Sequence, residues 1–413
     1  MSFQEFLILR NHRPSSIDSI LVLNGLAGKI NGGTLKNEAF SFHQVWFELP
    51  GKTGEEIQDT AKKSVDQWPS VNVKILPPSE TSVYLPPPAA ANNWARGYHV
   101  EGERIIDQVM NVVDATVDKT ESLQGFIITH SIGGGCGSLI VEKLREAYPK
   151  RKIFTFSVAP SALISDSATE AYNSILSLQK LKENADATIL LDNEALFRIA
   201  QSKLKRSPNY MDVNHMTSLI MSSVTSSLRF HGTLNTDLGE CLVNLVPFTG
   251  DHFLTASFAP MTPTKPDGIV RTEFADLAAE TFSRNNFSAE IDFDAGVFLS
   301  ACALFRGDIS AKSVDEKVSE IRKSLKFASY VPTGIKIGII DTAPEGFGST
   351  GLALVNHTGI SQVFKRRVEQ FDIIFENEAY THWYQNNCVS LERLEEARNV
   401  VADLAKSYDD GAA

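Results

Sequence analysis

At 413 residues, with 43% hydrophobic and 22% charged positions, the chain has the length for roughly two or three domains and the composition of a soluble globular protein. A formal net charge of −11, with no block of basic residues, argues against nucleic acid and anionic membrane as partners. No apolar run is long enough to span a membrane, Met1–Pro14 lacks a signal-peptide pattern, and Cys136, Cys241, Cys302 and Cys388 form no metal-ligand spacing, so a cytoplasmic protein with free thiols is expected.

The first ninety residues carry few signals. Ser19–Leu23 (SILVL) reads as a strand. The next stretch, Asn24–Thr34 (NGLAGKINGGT), is too short between its glycines for GxxxxGK[ST], and Ile30 stands where a metal-binding hydroxyl is needed, so it reads as a glycine-rich turn. Thr53–Gln67 opens on Thr-x-x-Glu, a capping-box pattern that predicts a helix, and Val71–Leu76 predicts a strand. Pro77, Pro78, Pro86, Pro87 and Pro88 make Pro77–Pro88 an extended connector, since proline fixes φ and removes a donor.

Beyond Ala89 the pattern is regular. A loop leads into an amphipathic helix from about Glu101 to Lys119, with Ile105, Ile106, Val109, Val112, Val113 and Val117 on its apolar face. Gly125–Leu139 (GFIITHSIGGGCGSL) joins a buried strand, Phe126–Thr129, through a glycine run to a helix whose stripe is Leu139, Ile140, Val141, Leu144 and Ala147. Strand, glycine turn and helix aim backbone N–H groups at a phosphate, because glycine permits close approach and a helix N-terminus favours negative charge. A plain tight turn is the other reading of the same residues. Lys152–Val158 predicts a strand, followed by the loop APSALISDS and the helix ATEAYNSILSLQKLKENA; Thr188–Leu191 and Asn193–Leu204 repeat the alternation. Such alternation predicts a parallel sheet covered on both faces, with ligand at the carboxyl ends of the strands. The glycine turn, APSALISDS and LLDNE all fall at such ends, which points to nucleotide binding.

Met211 to about Phe230 predicts one long helix, with Met216, Leu219, Ile220, Val224 and Leu228 on its apolar side. From His252 the strands FLTASFAP, IKIGIIDTAP and GLALVNHTG mix with the helices FADLAAETF and VDEKVSEIRKSL, a second α/β unit. Ser361–Arg367 and Leu391–Ser407 predict terminal helices, the last capped by Ser390. No internal repeat is evident, and His99, His215, His252 and His357 are dispersed, with no Ser or Cys set against a His and an acid. A dinucleotide oxidoreductase is disfavoured because GxGxxG and its downstream acid are missing.

Several motifs then stand in one order: AANNWARGYHVEG at Ala90–Gly102, THSIGGGCGS at Thr129–Ser138, PSALISDSATEAYN at Pro160–Asn173, LDNEALFRI at Leu191–Ile199, SPNYMDVNH at Ser207–His215, LNTDLGECLVNLVPF at Leu234–Phe248, then NHTGI and THWY. Together they resemble the tubulins, most closely the bacterial ones, over roughly three quarters of the chain. The resemblance implies an α/β, tubulin-like fold: a Rossmann-like parallel-sheet GTPase domain over 1–210, a long central helix over 211–231, a second α/β domain over 232–360 and C-terminal helices over 361–413.

By the same resemblance, Ala90, Asn92 and Asn93 sense the γ-phosphate, and Ser131, Gly133, Gly134, Gly135, Cys136 and Gly137 cradle the phosphates. Ser165, Asp166 and Glu170 meet the ribose; Asn193 and Asn214 hydrogen-bond the guanine, on which Tyr210 stacks. Glu240, with Asp237, lies in the loop that reaches the nucleotide of the next subunit, where an acid orients the attacking water. Without the resemblance, Asp237 reads as a helix cap and Glu240 as a solvated first-turn acid. The implied ligands are GTP or GDP with Mg2+. The implied partner is the chain itself or a second tubulin-like subunit in a cytoplasmic filament, with no nucleic acid and no membrane.

Three departures accompany the match. No GQCGNQ-type loop opens the chain, no acidic DLEP-type loop precedes Ala90, and ILPP at Ile75–Pro78 lacks both acids. The signature carries Cys136 in place of a hydroxyl residue and is about four residues short, which leaves fewer N–H groups for phosphate. Two functions follow. One is a GTPase protomer assembling head to tail; the other is a structural homologue, impaired in nucleotide binding, that joins a partner without hydrolysis of its own.

Overall fold

The computed structural model describes residues 17–24, 42–48, 82–84, 90, 92–118, 123–160, 167–204, 206–230, 232, 234, 238–262, 268–331, 334–344 and 346–411. The helix expected over Thr53–Gln67, the strand over Val71–Leu76 and the glycine-rich turn after Asn24 lie outside these residues.

Strands β1 (Ile17–Asn24), β2 (Phe42–Glu48), β3 (Ser82–Tyr84), β4 (Leu123–Ser131), β5 (Lys152–Ala159), β6 (Ala187–Asp192), β7 (Phe253–Ala259), β8 (Phe298–Gly307), β9 (Ile335–Ile340) and β10 (Ser349–His357) form one ten-stranded sheet. Their order is β3-β2-β1-β4-β5-β6-β7-β10-β8-β9. β4, β5, β6 and β7 are parallel. β10 is antiparallel to β7 and to β8, so β8 and β9 run with β7; β1 is antiparallel to β2 and β4. The parallel strands therefore have a common carboxyl edge and a common amino edge.

In chain order the helices are α1 (Trp94–Arg96), a π-helical turn (Gly97–Gly102), α2 (Glu103–Asp118), α3 (Gly135–Ala147), α4 (Glu170–Asn184), α5 (Asn193–Lys203), α6 (Tyr210–Val224), α7 (Ser226–Arg229), α8 (Leu238–Leu245), α9 (Phe274–Thr281), α10 (Ala311–Ser324), α11 (Ser361–Phe375), α12 (Thr381–Gln385) and α13 (Leu391–Asp410). Side-chain alternation along each strand divides the core. From β4, Phe126 and Ile128 enter the layer of α2, α3, α4, α11 and α13, while Ile127 enters the layer of α5, α6 and α8. From β8, Ala301, Ala303 and Phe305 pack under α9 and α10, while Cys302 and Leu304 face α6. Large apolar side chains such as Phe126, Ile127 and Phe305 each contribute about 1.5–3 kcal/mol by leaving water.

β2, and β3 within the expected Pro77–Pro88 connector, carry no predicted strand; from β4 onward the predicted alternation is present, with four differences. β8, buried along its whole length, carries no predicted strand: SACA has neither alternation nor strong β-formers. The long helix stops at Val224 and resumes as α7; at the join the Thr225 hydroxyl donates to the Met221 carbonyl at 3.0 Å. α3 begins at Gly135, four residues before the apolar stripe, so the glycine signature is itself the first turn; Ala147, at its far end, is exposed. The helix expected from about Glu101 is preceded by α1 and the π-helical turn, whose buried Glu101 carboxylate pairs with Arg96 and Arg104, each at 3.1 Å.

Candidate functional site

At the carboxyl edge, β4 ends in Ser131, whose hydroxyl accepts from the Gly133 N–H at 3.2 Å, while the Gly134 N–H donates to the Ser131 carbonyl at 3.4 Å. No side chain caps α3, whose N-cap is Gly134, so no side chain occupies its first-turn N–H groups. The glycines fall into two kinds. A Cβ on Gly133 or Gly134 would meet nothing closer than Ser131 Oγ at 3.5 Å and Ser131 O at 4.0 Å respectively: their sides are open. A Cβ on Gly135 would lie 2.0 Å from the Trp94 carbonyl, and one on Gly137 would lie 2.9 Å from His130 Cβ. Those two glycines admit neighbouring groups. Cys136 Sγ donates to the Gly97 carbonyl at 3.0 Å, which ties the substituted residue to the π-helical turn.

The contact at Gly135 brings the Ala90–Asn93 segment to the signature loop. Ala90 lies beside Gly97, where an added Cβ would be 3.3 Å from Ala90 Cβ. Asn92 is left-handed at φ 56°, and its carbonyl accepts from Asn173 Nδ2 at 2.8 Å and Thr169 Oγ1 at 3.0 Å. Asn93 caps α1 through Oδ1, which accepts from the Arg96 N–H at 3.2 Å, and donates through Nδ2 to the Trp383 carbonyl at 3.0 Å. Glu170, half-buried, begins α4 just beyond Thr169. Ser165 and Asp166 lie outside the described residues.

Asp192 ends β6 and caps α5, accepting from the Glu194 N–H at 3.0 Å. Burial pushes its carboxyl up, an effect the Arg367 guanidinium opposes. Asn193 is therefore fixed at the first turn of α5, on the same carboxyl edge as the glycine loop. α5 packs on α6, which carries Asn214. The N-terminus of α6 is held by a capping box between Asn209 and Asp212, with Arg206 Nη1 and Nη2 at 2.8 and 2.7 Å from the two Asp212 oxygens. Asn193 is 8% exposed and Asn214 6%, and neither side-chain amide has a hydrogen-bond partner among the described residues. Neither amide is sealed from water, so each can offer a donor and an acceptor to a ligand, as a guanine edge requires. Tyr210 opens α6, but its side chain lies outside what is described.

Glu240 is elsewhere. Its helix, α8, leads into the start of β7 at the amino edge. The Leu245 carbonyl accepts from Ser300 Oγ at 2.7 Å and Asn356 Nδ2 at 3.0 Å, from the first residues of β8 and the last of β10. Glu240 is exposed and pairs with Nζ of Lys336, the second residue of β9. Asp237 lies outside the described residues. The residues of the carboxyl edge and Glu240 are thus separated by the length of the strands, on the order of 20 Å.

Among the described residues no group of three His, Cys, Asp or Glu could hold a metal, and no helix is long and apolar enough to cross a membrane. Among the described residues Cys136, Cys302 and Cys388 form no disulfide. Sequence reading assigned no role to Asn173, Tyr384, Lys336 or Arg367. Arg367 is buried on α11 and donates to the Pro160 carbonyl at 2.5 Å, where the loop of Ser165 and Asp166 begins. Asn173 and Tyr384 do stand inside the quoted motifs, which was the available signal.

Residues 49–201 match the family model described as the GTPase domain of the tubulin/FtsZ family, and residues 250–369 match the tubulin C-terminal domain. The tubulin beta chain of Encephalitozoon cuniculi is 40% identical over 326 residues, covering 77% of this chain and 74% of its own. Tubulin beta-1 of Homo sapiens is 39% identical, covering 77% and 72%, and the tubulin beta chain of Schizophyllum commune is 40% identical, covering 77% and 73%. These relatives are beta chains, and the narrower likeness to bacterial tubulins is not shown by them. At this identity, and over this share of both chains, the protein belongs to the tubulin family.

Proposed function

We propose that the protein is a GTP-binding protomer that assembles head to tail and hydrolyses GTP between subunits. Asn193 and Asn214 read the guanine edge with Tyr210 stacked on the ring; Ser165, Asp166 and Glu170 face the ribose. The open sides of Gly133 and Gly134, with Ser131, Gly135, Cys136 and Gly137, receive the phosphates against the uncapped N-terminus of α3. Ala90, Asn92 and Asn93 meet the γ-phosphate. In the same reading the nucleotide domain spans 1–210, the central helix 211–231, the second α/β domain 232–360 and the C-terminal helices 361–413, and the assembly is a cytoplasmic filament.

The observation that carries the reading is the placement of Glu240 at the amino edge, away from the loops at the carboxyl edge. An acid that cannot reach its own protomer's phosphates can reach those of the next one when subunits stack in one direction. Such a heterologous contact propagates as an open filament. Both ends also expose apolar groups: Val243 (81% exposed), Phe248 and Tyr330 beside α8, and Tyr380 and Trp383 (54% exposed) beside Asn93. Glu240, aided by Asp237, orients a water and accepts its proton. The water oxygen bonds to the γ-phosphorus, the bond to the β-phosphate oxygen breaks, and backbone N–H groups stabilise the charge on the leaving phosphates. Mg2+ accompanies the nucleotide; among the described residues no group of three His, Cys, Asp or Glu could hold it.

Light scattering of purified protein tests the assembly. The reading requires GTP to raise scattering and GDP not to. Identical traces with and without GTP, at a concentration where a second tubulin-like chain also fails to co-sediment, would overturn it.

A further inference from the structure

The side chain of Asn173 is 1% exposed and makes three hydrogen bonds, two to the Asn92–Trp94 stretch and one to Tyr384. Its Nδ2 donates to the Asn92 carbonyl at 2.8 Å. Its Oδ1 accepts from the Trp94 N–H at 2.9 Å and from the Tyr384 hydroxyl at 2.5 Å. The peptide between Asn92 and Asn93 is thereby fixed on both sides: its C=O accepts from Asn173 and Thr169, and its N–H donates to the Ala90 carbonyl at 3.0 Å. The left-handed Asn92 backbone is one that asparagine adopts more readily than other non-glycine residues, and these bonds fix it there. An amide offers its donor and its two-fold acceptor on separate atoms; a carboxylate would set its charge against the Asn92 carbonyl.

The far end of the network is a surface turn. Tyr384 also lies 3.2 Å from the Thr169 carbonyl, and Tyr172 donates to the Ala379 carbonyl at 2.8 Å. Asn93 donates to the Trp383 carbonyl, so the turn is fastened to the loop at several points. Within it Glu378 and Tyr380 are left-handed at φ 47° and 63°, and the side chains of Tyr380 and Trp383 are exposed. A rigid, locally strained turn joined to a loop by side-chain amides moves when the loop moves.

We propose that Asn173, oriented by Tyr384, is a positioning residue that sets the Asn92–Asn93 loop for the third phosphate and couples its state to the exposed Tyr380–Trp383 turn. This rests on the guanine-nucleotide reading above. Tyr384→Phe removes one hydroxyl and leaves the ring packed edge-on to Tyr172, 5.1 Å between centroids. Displacement of a fluorescent GDP analogue by GTP and by GDP, at protein concentrations below assembly, measures both affinities. In Y384F and in Asn173→Asp, GTP affinity falls about tenfold while GDP affinity changes less than about twofold. The emission component assigned to Trp383 by comparison with Trp383→Phe differs between GTP and GDP in the unaltered protein, and that difference disappears in Y384F. Equal losses for GTP and GDP, or no loss for either, overturn the proposal. Wild-type protein that binds neither nucleotide overturns the guanine-nucleotide reading itself, and the proposal with it.

Discussion

Gly135 and Trp94 meet backbone to backbone: a Cβ on Gly135 would stand 2.0 Å from the Trp94 carbonyl oxygen and 2.5 Å from the Tyr98 nitrogen. Neither obstacle is a side chain that could swing aside, so Gly135→Ala must part the signature loop from the Ala90–Asn93 segment, at a cost of about 1–3 kcal/mol or more. Gly133→Ala meets no such obstacle, and its stability stays within about 1 kcal/mol of the parent. Its methyl group projects into the space assigned to phosphate, so it loses nucleotide. Urea unfolding midpoints beside nucleotide content separate the two: G135A fails in both, G133A only in the second.

The amides of Asn193 and Asn214 make no hydrogen bond to the described residues and are not sealed from water, so their removal should not weaken the empty protein. Asn214→Leu is expected to leave the nucleotide-free unfolding midpoint unchanged or slightly higher. GDP affinity should fall by about tenfold to a hundredfold, because a buried donor and acceptor for the base are gone. Paired denaturation and titration experiments check both halves; a destabilised apoprotein would assign Asn214 a structural partner instead.

Glu240 is exposed and its ion pair with Lys336 lies at the surface, so Glu240→Gln should change stability by less than about 1 kcal/mol. If Glu240 activates water in the neighbouring subunit, phosphate release from assembled protein falls by about a hundredfold or more while nucleotide binding and assembly persist. Single-turnover phosphate release in pelleted filaments is the measurement. Unchanged release would return Glu240 to the role of a solvated first-turn acid.

Two histidines make stability depend on pH. Burial lowers His130 to about 4, where its Nε2 sits 2.8 Å from Ser157 Oγ, and burial likewise lowers His357 to about 4. Both fold neutral, while the unfolded chain takes up protons below the ordinary value of 6.5. Their contribution is thus complete above about 6.5 and is lost as pH falls toward about 4, on the order of 3 kcal/mol for each. Urea midpoints should decline across that interval, and His130→Gln should flatten the decline. A midpoint independent of pH between those limits would contradict the assignment.

The alternation from β4 to α5 was legible because each buried strand is a short apolar run and each helix carries a 3.6-residue stripe. β8 escaped because Ser300, Ala301, Cys302 and Ala303 are small and unpatterned, and burial on both faces needs no alternation. The start of α3 was hidden by its own glycines, which have low helix propensity and are present for close approach. The site residues came from motif resemblance, which places a residue in a loop without saying what holds the loop. Asn173 and Tyr384 are 211 positions apart, and Glu240 and Lys336 are 96 apart, so no local signal could pair them. The opposed placement of Glu240 and the glycine loop likewise follows from strand direction, which only the sheet reveals.

The central claim is that these loops hold guanine nucleotide, and the most direct test is chromatography of the small molecules released when desalted, purified protein is denatured. The account predicts GDP or GTP approaching one equivalent per chain, with adenine nucleotides at background. Protein that releases no guanine nucleotide, and takes up none when GTP is supplied before desalting, would contradict it and leave a tubulin-family scaffold without a working nucleotide site.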